Sequence, residues 1–369
     1  MKDKAAMLAA MKKEIALRKD YLAPLVPTHW EKRRKPVETL YFGGGTPSVL
    51  SIDELAGLLK IITQYYTLAP DAEITLEANP DDMNEKYLEA LLHLGFNRLS
   101  IGIQSFFDDD LQWMNRRHCA REAAQSVKNA FRHGFYNINI DLMYGLPSMS
   151  QERWKANLQQ ALELDVPHLS AYHLTIEPQT VFGKRQAKGE KFSISEDESA
   201  RQFDILLDTM EKAGYEHYEI SNFARPAFRS RHNTAYWQQK PYMGIGPAAH
   251  SFDRQSRQWN ISNNSGYIAA WETVSFPPNW ERLTGGYEQL SVTEQYNDYI
   301  LVSLRTAWGA DTGFIRAHFG DAFAKLFLCQ AAAYVQNGYM QEQAGVFTLT
   351  RKGKMIADRI AADMFCVNQ

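Results

Sequence analysis

Four places along this 369-residue chain carry groups suited to holding a polar ligand: the turn Gly43-Gly44-Gly45-Thr46 and the side chains of Glu77, Gln104 and Asp141. The turn follows the β-favouring pair Tyr41-Phe42 and runs through Thr46-Pro47 into a helix-like pattern from Ser51. Glycine lacks a Cβ and reaches positive φ, so its amides can approach a ligand closely and point at its oxygens. No Gly-Lys-Ser/Thr follows, so a phosphate cradle is not indicated. Glu77, Gln104 and Asp141 each stand at or near the end of an apolar, strand-like run. Carboxylates suit an ammonium or ribose hydroxyls, an amide bridges donors and acceptors, and backbone N–H groups suit a carboxylate. The ligand implied carries amine, carboxylate and sugar groups. Taken singly, the glycines also read as a plain strand-to-helix turn, and each polar residue as a helix cap or a satisfied buried group.

A second constellation is His232-Asn233-Thr234-Ala235-Tyr236-Trp237, within a segment that also holds Arg229, Arg231, Tyr242 and Gly244-Ile245-Gly246-Pro247. Imidazole ligates iron, arginines pair with carboxylates such as porphyrin propionates, and aromatic rings stack on a large planar ligand. The competing reading is a core aromatic cluster with a structural histidine.

The elements that must position these groups follow a regular rhythm. Strand-like runs at Thr39–Phe42, Glu73–Glu77, Arg98–Gln104, Asn137–Met143 and His168–Thr175 alternate with helical patterns at Ser51–Tyr66, Asn84–Leu94, Arg121–His133 and Gln151–Leu164. Such alternation predicts βαβ units and a parallel sheet whose strands are covered on both faces. Ligands of such sheets bind at the carboxyl ends of the strands, where all four groups fall. Before this region, residues 3 to 22 predict an amphipathic helix with Leu8, Met11, Ile15 and Leu22 on one face and lysines on the other. Pro24 and Pro27 end it, and a basic linker, Glu31 to Lys35, follows.

After Pro178 the rhythm stops. Residues 183 to 197 predict an exposed segment, Glu196–Ala213 an amphipathic helix and Tyr215–Phe223 a strand. Beyond Gln289, helices at Thr293–Trp308 and Phe314–Asn337 precede a hairpin, Tyr339–Gln343 with Val346–Leu349, and a last helix from Thr350 to Phe365. Helices followed by a β-ribbon suggest a winged-helix module. The expected division is 1–180, 181–288 and 289–369.

The net charge of −3 and pI near 6.4 offer no electrostatic reason to bind nucleic acid or an anionic membrane, so the C-terminal module reads as structural or protein-docking. No apolar run approaches the roughly 18 residues of a membrane span. No export signal is visible either, and a cytoplasmic location is expected. Cys119, Cys329 and Cys366 form no CxxC pair and no disulfide framework, and are expected as small buried hydrophobes.

With these residues in hand, the chain resembles the radical S-adenosylmethionine superfamily, in its oxygen-independent coproporphyrinogen III oxidase-like branch. The likeness runs from about Ala5 to Met364, through Tyr41–Pro47, Glu77–Pro80, Gly102–Phe106, Asn139–Pro147 and His232–Trp237 in family order. It implies an α/β fold, a partial (β/α)6 barrel with a helical, winged-helix-like C-terminal region. The resemblance also implies S-adenosylmethionine at Gly44, Gly45, Thr46, Glu77, Gln104, Arg116 and Asp141, with Arg117 as the neighbour of the assigned arginine. The His-Asn-x-x-Tyr-Trp pattern marks the heme-chaperone members of that branch. It implies heme at His232, Tyr236 and Trp237, with His232 as the iron ligand and no catalytic residue.

The function implied is binding of heme and its transfer to acceptor hemoproteins of respiration. Peripheral association with membrane proteins and a homodimer are further implications, and nucleic acid is not a partner. The runner-up is oxidative decarboxylation of coproporphyrinogen III. One departure stands out, because the family's CxxxCxxC motif, which holds a [4Fe–4S] cluster, is absent from the sequence. An N-terminal truncation that also removes the first barrel strand is expected, with the cluster belonging to the complete protein. A cluster-free relative is the alternative. Loss of that strand would leave the edge of the Tyr41 strand unpaired.

Overall fold

The computed structural model describes residues 3–22, 35–178, 181–190, 195–274 and 280–367. Pro24, Pro27 and the basic linker up to residue 34 lie outside the described residues. The chain forms two compact units. One comprises Tyr41–Val49 and Glu73–Ser230, the other Met1–Leu40, Leu50–Ala72 and Arg231–Gln369.

Helix α1 (Lys4–Leu17) comes first, followed by the strands β1 (Val37–Phe42), β2 (Leu68–Ala78), β3 (Arg98–Gln104), β4 (Asn137–Tyr144) and β5 (His168–His173). Between the strands stand α2 (Ile52–Tyr65), α3 (Glu85–His93), α4 (Asp108–Trp113), α5 (Ala120–Arg132) and α6 (Gln151–Glu163). Then come α7 (Val181–Gln186), α8 (Glu196–Lys212), β6 (Glu216–Glu219) and β7 (Asn222–Ala224). The sheet order is β1-β2-β3-β4-β5-β7-β6, so β1 is an edge strand. Pairs β2–β3, β3–β4 and β4–β5 are parallel, as the βαβ rhythm predicts. The stretch Tyr215–Phe223 is instead a tight hairpin, with β6 and β7 antiparallel and β7 antiparallel to β5.

Local chemistry explains where the helices start. Ser51 and Glu54 form a capping box at α2, with Ser51 N donating to Glu54 Oε2 at 2.8 Å. Asn84, Ser150 and Ser195 cap α3, α6 and α8 in the same spirit. Leu55, Leu58 and Leu59 then bury one face of α2.

One sheet face is apolar and buried: Leu76, Leu99, Ile101, Ile138, Ile140 and Leu169 are at most 1% exposed. The other face departs from the expectation of strands apolar on both sides. Alternate positions carry Glu73, Thr75 and Glu77 on β2, Arg98 and Ser100 on β3, Asn139 and Asp141 on β4, and His168 and Ser170 on β5. Period two places these on one side of the sheet. Most are buried, and Ser100, Asn139, His168 and Ser170 hydrogen-bond across the face, whereas Thr75 Oγ1 and the Arg98 Nε and Nη2 have no hydrogen-bond partner among the described residues.

The second unit holds α1, α2 and the elements from α9 (Arg231–Trp237) onward. A three-stranded sheet in the order β10-β9-β8 is built from β8 (His250–Phe252), β9 (Ser256–Asn260) and β10 (Thr284–Gln289). Helices α10 (Asn264–Glu272) and α11 (Trp280–Leu283) lie between the last two strands. Next come α12 (Val292–Leu304), β11 (Ala310–Asp311), α13 (Thr312–Phe319), α14 (Asp321–Gln336), β12 (Met340–Gln343) and β13 (Val346–Leu349). With strand order β11-β13-β12, this is the winged-helix arrangement that the sequence suggests. The single helix expected over Phe314–Asn337 is two, broken at Gly320, whose φ of 99° ends α13. The last helix is likewise two pieces, α15 (Arg351–Lys354) and α16 (Ala357–Asp363).

Helix α1 buries an unexpected residue, because Glu14 is fully enclosed along with Ala10 and Ile15. Its carboxylate accepts from Arg18 Nη1 at 2.8 Å, Asn260 Nδ2 at 2.7 Å, Gly246 N at 2.9 Å and Tyr267 Oη at 2.6 Å. Arg18 in turn donates to Gly244 O at 2.9 Å and Ser251 Oγ at 2.8 Å. This buried pair therefore clamps the Gly244–Gly246 turn. Removing one partner of a buried pair leaves an uncompensated charge, so Glu14→Ala is expected to cost about 3–5 kcal/mol. Denaturant unfolding of the variant checks this. A loss under about 1 kcal/mol, the level of an exposed pair, would contradict it.

Candidate functional site

The glycine turn is built around Glu77. Tyr41 Oη donates to Glu77 Oε1 at 2.8 Å and Gly44 N donates to Oε2 at 3.1 Å, so one carboxylate joins the ends of β1 and β2. At Gly43 a Cβ would stand 2.5 Å from Tyr41 Cε1 and 2.7 Å from Glu77 Oε1, which only glycine avoids. Gly44 has φ +79°, and a Cβ there or at Gly45 would project into open space. The backbone is thus bare on the ligand side.

Gln104 ends β3 in a left-handed conformation, φ 70°, where the β3–β4 register is interrupted. A non-glycine residue there is held against a steric cost, a feature common at functional sites. Gly102 makes the room, since a Cβ would meet Gln104 Nε2 at 3.0 Å and Arg116 Nη2 at 3.4 Å. Arg116 Nη2 donates to Gly102 O at 3.0 Å and Asn79 Oδ1 at 2.9 Å, which aims the guanidinium inward, while Arg117 is exposed. Burial pulls the Arg116 pKa below its ordinary value.

Gly45, Thr46, Glu77, Gln104, Arg116 and Asp141 line one open cleft, together with Asn79, Ser100 and Gly102. Gly44 joins it through its bond to Glu77. Asp141 lies deepest in charge terms, because burial raises its carboxyl to a pKa of about 6. Glu77 adds to that rise, whereas Asn139, Ser170 and Arg98 oppose it. Sequence reasoning did not single out Ser100 or Asn139. The available signal was period two, which places them one step below Gly102 and Asp141 on the same face.

The second constellation lies in the other unit. Residues 231–237 form α9, where the i, i+4 spacing sets His232 and Tyr236 on one side with rings 4.8 Å apart at 86°. Tyr236 meets Tyr242 at 4.4 Å, and Tyr242 meets Phe252 at 6.0 Å. His232 Nδ1 is 2.8 Å from Thr39 Oγ1. Trp237 is not brought to this row, and its ring lies 5.9 Å from the Arg305 guanidinium.

The residues present do not fit an iron–sulfur cluster. Among the described residues no group of three His, Cys, Asp or Glu side chains is placed to hold a metal. The cysteines are also not the buried hydrophobes expected. Cys329 is exposed, and Cys119 and Cys366 are half-buried, Cys119 occupying the N-cap of α5. Among the described residues no helix is long and apolar enough to cross a membrane.

A partial barrel whose strand ends gather a glycine turn, two carboxylates, an amide and an arginine is the architecture of radical SAM proteins. The profile of the Radical SAM superfamily matches residues 29–161. The chain superposes with a TM-score of 0.79 on the structure of coproporphyrinogen III oxidase (HemN) from Escherichia coli, described as a radical SAM enzyme. That match covers 97% of this chain and 82% of the other at 23% identity, a likeness of fold. The heme chaperone HemW of Lactococcus lactis subsp. lactis is 32% identical over 340 residues, 92% of this chain and 88% of the relative. HemW of Bacillus subtilis is 31% identical over 88% of this chain and 84% of its own length, and HemW of Escherichia coli 41% identical over 58% and 56%. The chain belongs to the HemW family of the radical SAM superfamily.

Because the folded pKa of Asp141 lies above the unfolded value, the folded state binds more protons between about pH 4 and 6. Its contribution therefore favours folding at low pH and is lost as pH rises through 6. Asp141→Asn removes that burden, so the variant is expected to gain thermal midpoint relative to wild type at pH 8 but not at pH 5. Melting curves at both pH values check this, and a pH-independent difference would contradict it.

Proposed function

We propose that this chain is a heme chaperone that binds heme through the face of α9 and passes it to acceptor hemoproteins, with S-adenosylmethionine held in the strand-end cleft. The observation that carries the reading is sequence identity to HemW proteins across 88–92% of the chain, with the His232–Trp237 pattern inside it. Acceptors of the respiratory chain, peripheral contact with membrane proteins and a homodimer belong to the same proposal.

The cleft suits S-adenosylmethionine group by group. The backbone at Gly44 and Gly45, where a Cβ would meet nothing, lets the methionyl part approach closely beside Thr46, and Arg116 attracts its carboxylate. Glu77 attracts the ammonium, each of its oxygens keeping a lone pair beyond the bond it already accepts. Gln104 bridges donors and acceptors at the rim, and Asp141 accepts from ribose hydroxyls. A [4Fe–4S] cluster would supply radical chemistry to such a ligand, and among the described residues no His, Cys, Asp or Glu group is placed to hold it.

At α9, Thr39 Oγ1 lies 2.8 Å from His232 Nδ1 and orients the imidazole proposed as the iron ligand. Tyr236 flanks that imidazole, and Trp237 fixes the helix that carries both. The fold shared with coproporphyrinogen III oxidase keeps porphyrinogen decarboxylation as the second reading. Turnover of coproporphyrinogen III by a cluster-reconstituted protein would favour it.

Two titrations test the proposal. Heme added to the purified chain is expected to give a Soret band that shifts and weakens in His232→Ala, and an unchanged affinity would remove His232 as ligand. Calorimetry with S-adenosylmethionine is expected to show Glu77→Ala binding at least tenfold more weakly, about 1.4 kcal/mol. Equal binding would disconnect the cleft from this ligand.

A further inference from the structure

We infer that His168 is a positioning residue for the cleft: through Asn139 it sets the direction of a hydrogen-bond chain that ends on Asp141 and holds that carboxylate as a ligand-facing acceptor. The chain crosses the polar sheet face. Tyr218 Oη lies 2.7 Å from His168 Nε2, His168 Nδ1 lies 2.5 Å from Asn139 Oδ1, and Asn139 Nδ2 lies 2.7 Å from Asp141 Oδ1. Tyr218, His168 and Asn139 are at most 3% exposed, so no solvent offers them alternative partners.

The direction follows from donor and acceptor capacity. An ionised carboxylate only accepts, so Asn139 must turn its Nδ2 toward Asp141 and Ser100, the latter at 2.8 Å. Its Oδ1 then faces His168, which must donate from Nδ1, and Nε2 is left to accept from Tyr218. Burial lowers the His168 pKa far below the ordinary value, so the ring is neutral with one donor and one acceptor, and the Asn139 bond to Asp141 selects the tautomer that donates from Nδ1. Without the Nδ1 donor, Ser170 Oγ at 3.1 Å is the remaining hold on Asn139 Oδ1, and Ser170 also engages Asn222 Oδ1 at 2.6 Å. The amide would then be free to turn its oxygen toward Asp141, which disfavours the carboxylate. Other groups facing Asp141 are Tyr41 on β1, Glu77 on β2, Arg98 on β3, Arg116 after it, and Ser170 and Tyr172 on β5. Of these, Ser170 donates to Asn139 Oδ1.

That Asp141 meets a ribose rests on the function proposed above, whereas the control of its ionisation does not. The test is therefore an infrared titration of the purified chain, reading the protonated-carboxyl band that Asp141→Asn abolishes. Wild type is expected to titrate near pH 6. His168→Phe is expected to raise the midpoint by about one pH unit, the worth of one hydrogen bond to a charged group. His168→Asn, whose amide nitrogen reaches the Nδ1 position, is expected to restore it, and Tyr218→Phe to raise it by less than His168→Phe does. An unchanged midpoint in folded His168→Phe overturns the inference. If that variant does not fold, an unchanged midpoint in Tyr218→Phe does so. A parallel calorimetric titration separates the two claims. A one-unit rise from pH 6 leaves half of Asp141 ionised at pH 7, so His168→Phe should bind S-adenosylmethionine about twofold more weakly there. Absence of binding by wild type would defeat the cofactor reading while the infrared midpoints still decide the role of His168.

Discussion

A polar face buried inside a sheet has to supply its own hydrogen-bond partners, and that constraint organises the unit that carries the cleft. Strands β2 to β5 each present polar side chains to the same side. Water cannot serve most of them, because Ser100, Asn139, His168 and Ser170 are at most 5% exposed. An unsatisfied buried polar group costs about 1–3 kcal/mol, so each contact on this face constrains the next. The chain from Tyr218 to Asp141 is one consequence. The tie of Glu77 to Tyr41 and Gly44 is another, and it fixes the glycine turn at the open end. The face is not fully paired, since Thr75 Oγ1 and the Arg98 Nε and Nη2 are buried without a hydrogen-bond partner among the described residues.

The other unit solves a similar problem with a single ion pair. Glu14 and Arg18 are one turn apart on α1, yet they reach Gly244, Gly246, Ser251, Asn260 and Tyr267. Burying two charges is costly unless every lone pair and proton is used, and here nearly all are. The benefit is a fixed path for the Gly-Ile-Gly-Pro turn, which leads into β8 and the aromatic row ending at Phe252.

Much of this was legible before any coordinates. The βαβ rhythm and the winged-helix order of the C-terminal region follow from local pattern. Other features depend on contacts that no window of sequence contains. Glu14 sits among lysines on α1 and reads as surface until its partners more than 200 residues away are known. The left-handed Gln104 carries no glycine or asparagine signature, because tertiary packing around Gly102 and Arg116 imposes it. Apolar residues on one side of β3 and β4 drew attention from the polar side, so His168 read as the start of a strand rather than as part of a network. Spacing assigns Arg116 with Arg117 as its neighbour, and only the bonds to Asn79 and Gly102 show where the Arg116 guanidinium points.

The His-Asn-x-x-Tyr-Trp pattern shows why a motif need not be one surface. Residues four apart on a helix share a face, and residues five apart stand about 140° from each other. His232 and Tyr236 accordingly meet ring to ring, while Trp237 turns away to the Arg305 guanidinium. Arg305 is itself bound to Asp358, so Trp237 links α9 to the C-terminal helices through a cation–π contact and an ion pair. A seven-residue helix has too few internal bonds to hold itself in place. Tertiary anchors must do so, and Trp237 on one side with the Thr39–His232 bond on the other supply them. The tryptophan therefore anchors the short helix that carries His232 and Tyr236, and its loss would loosen both without removing either ring from their shared side.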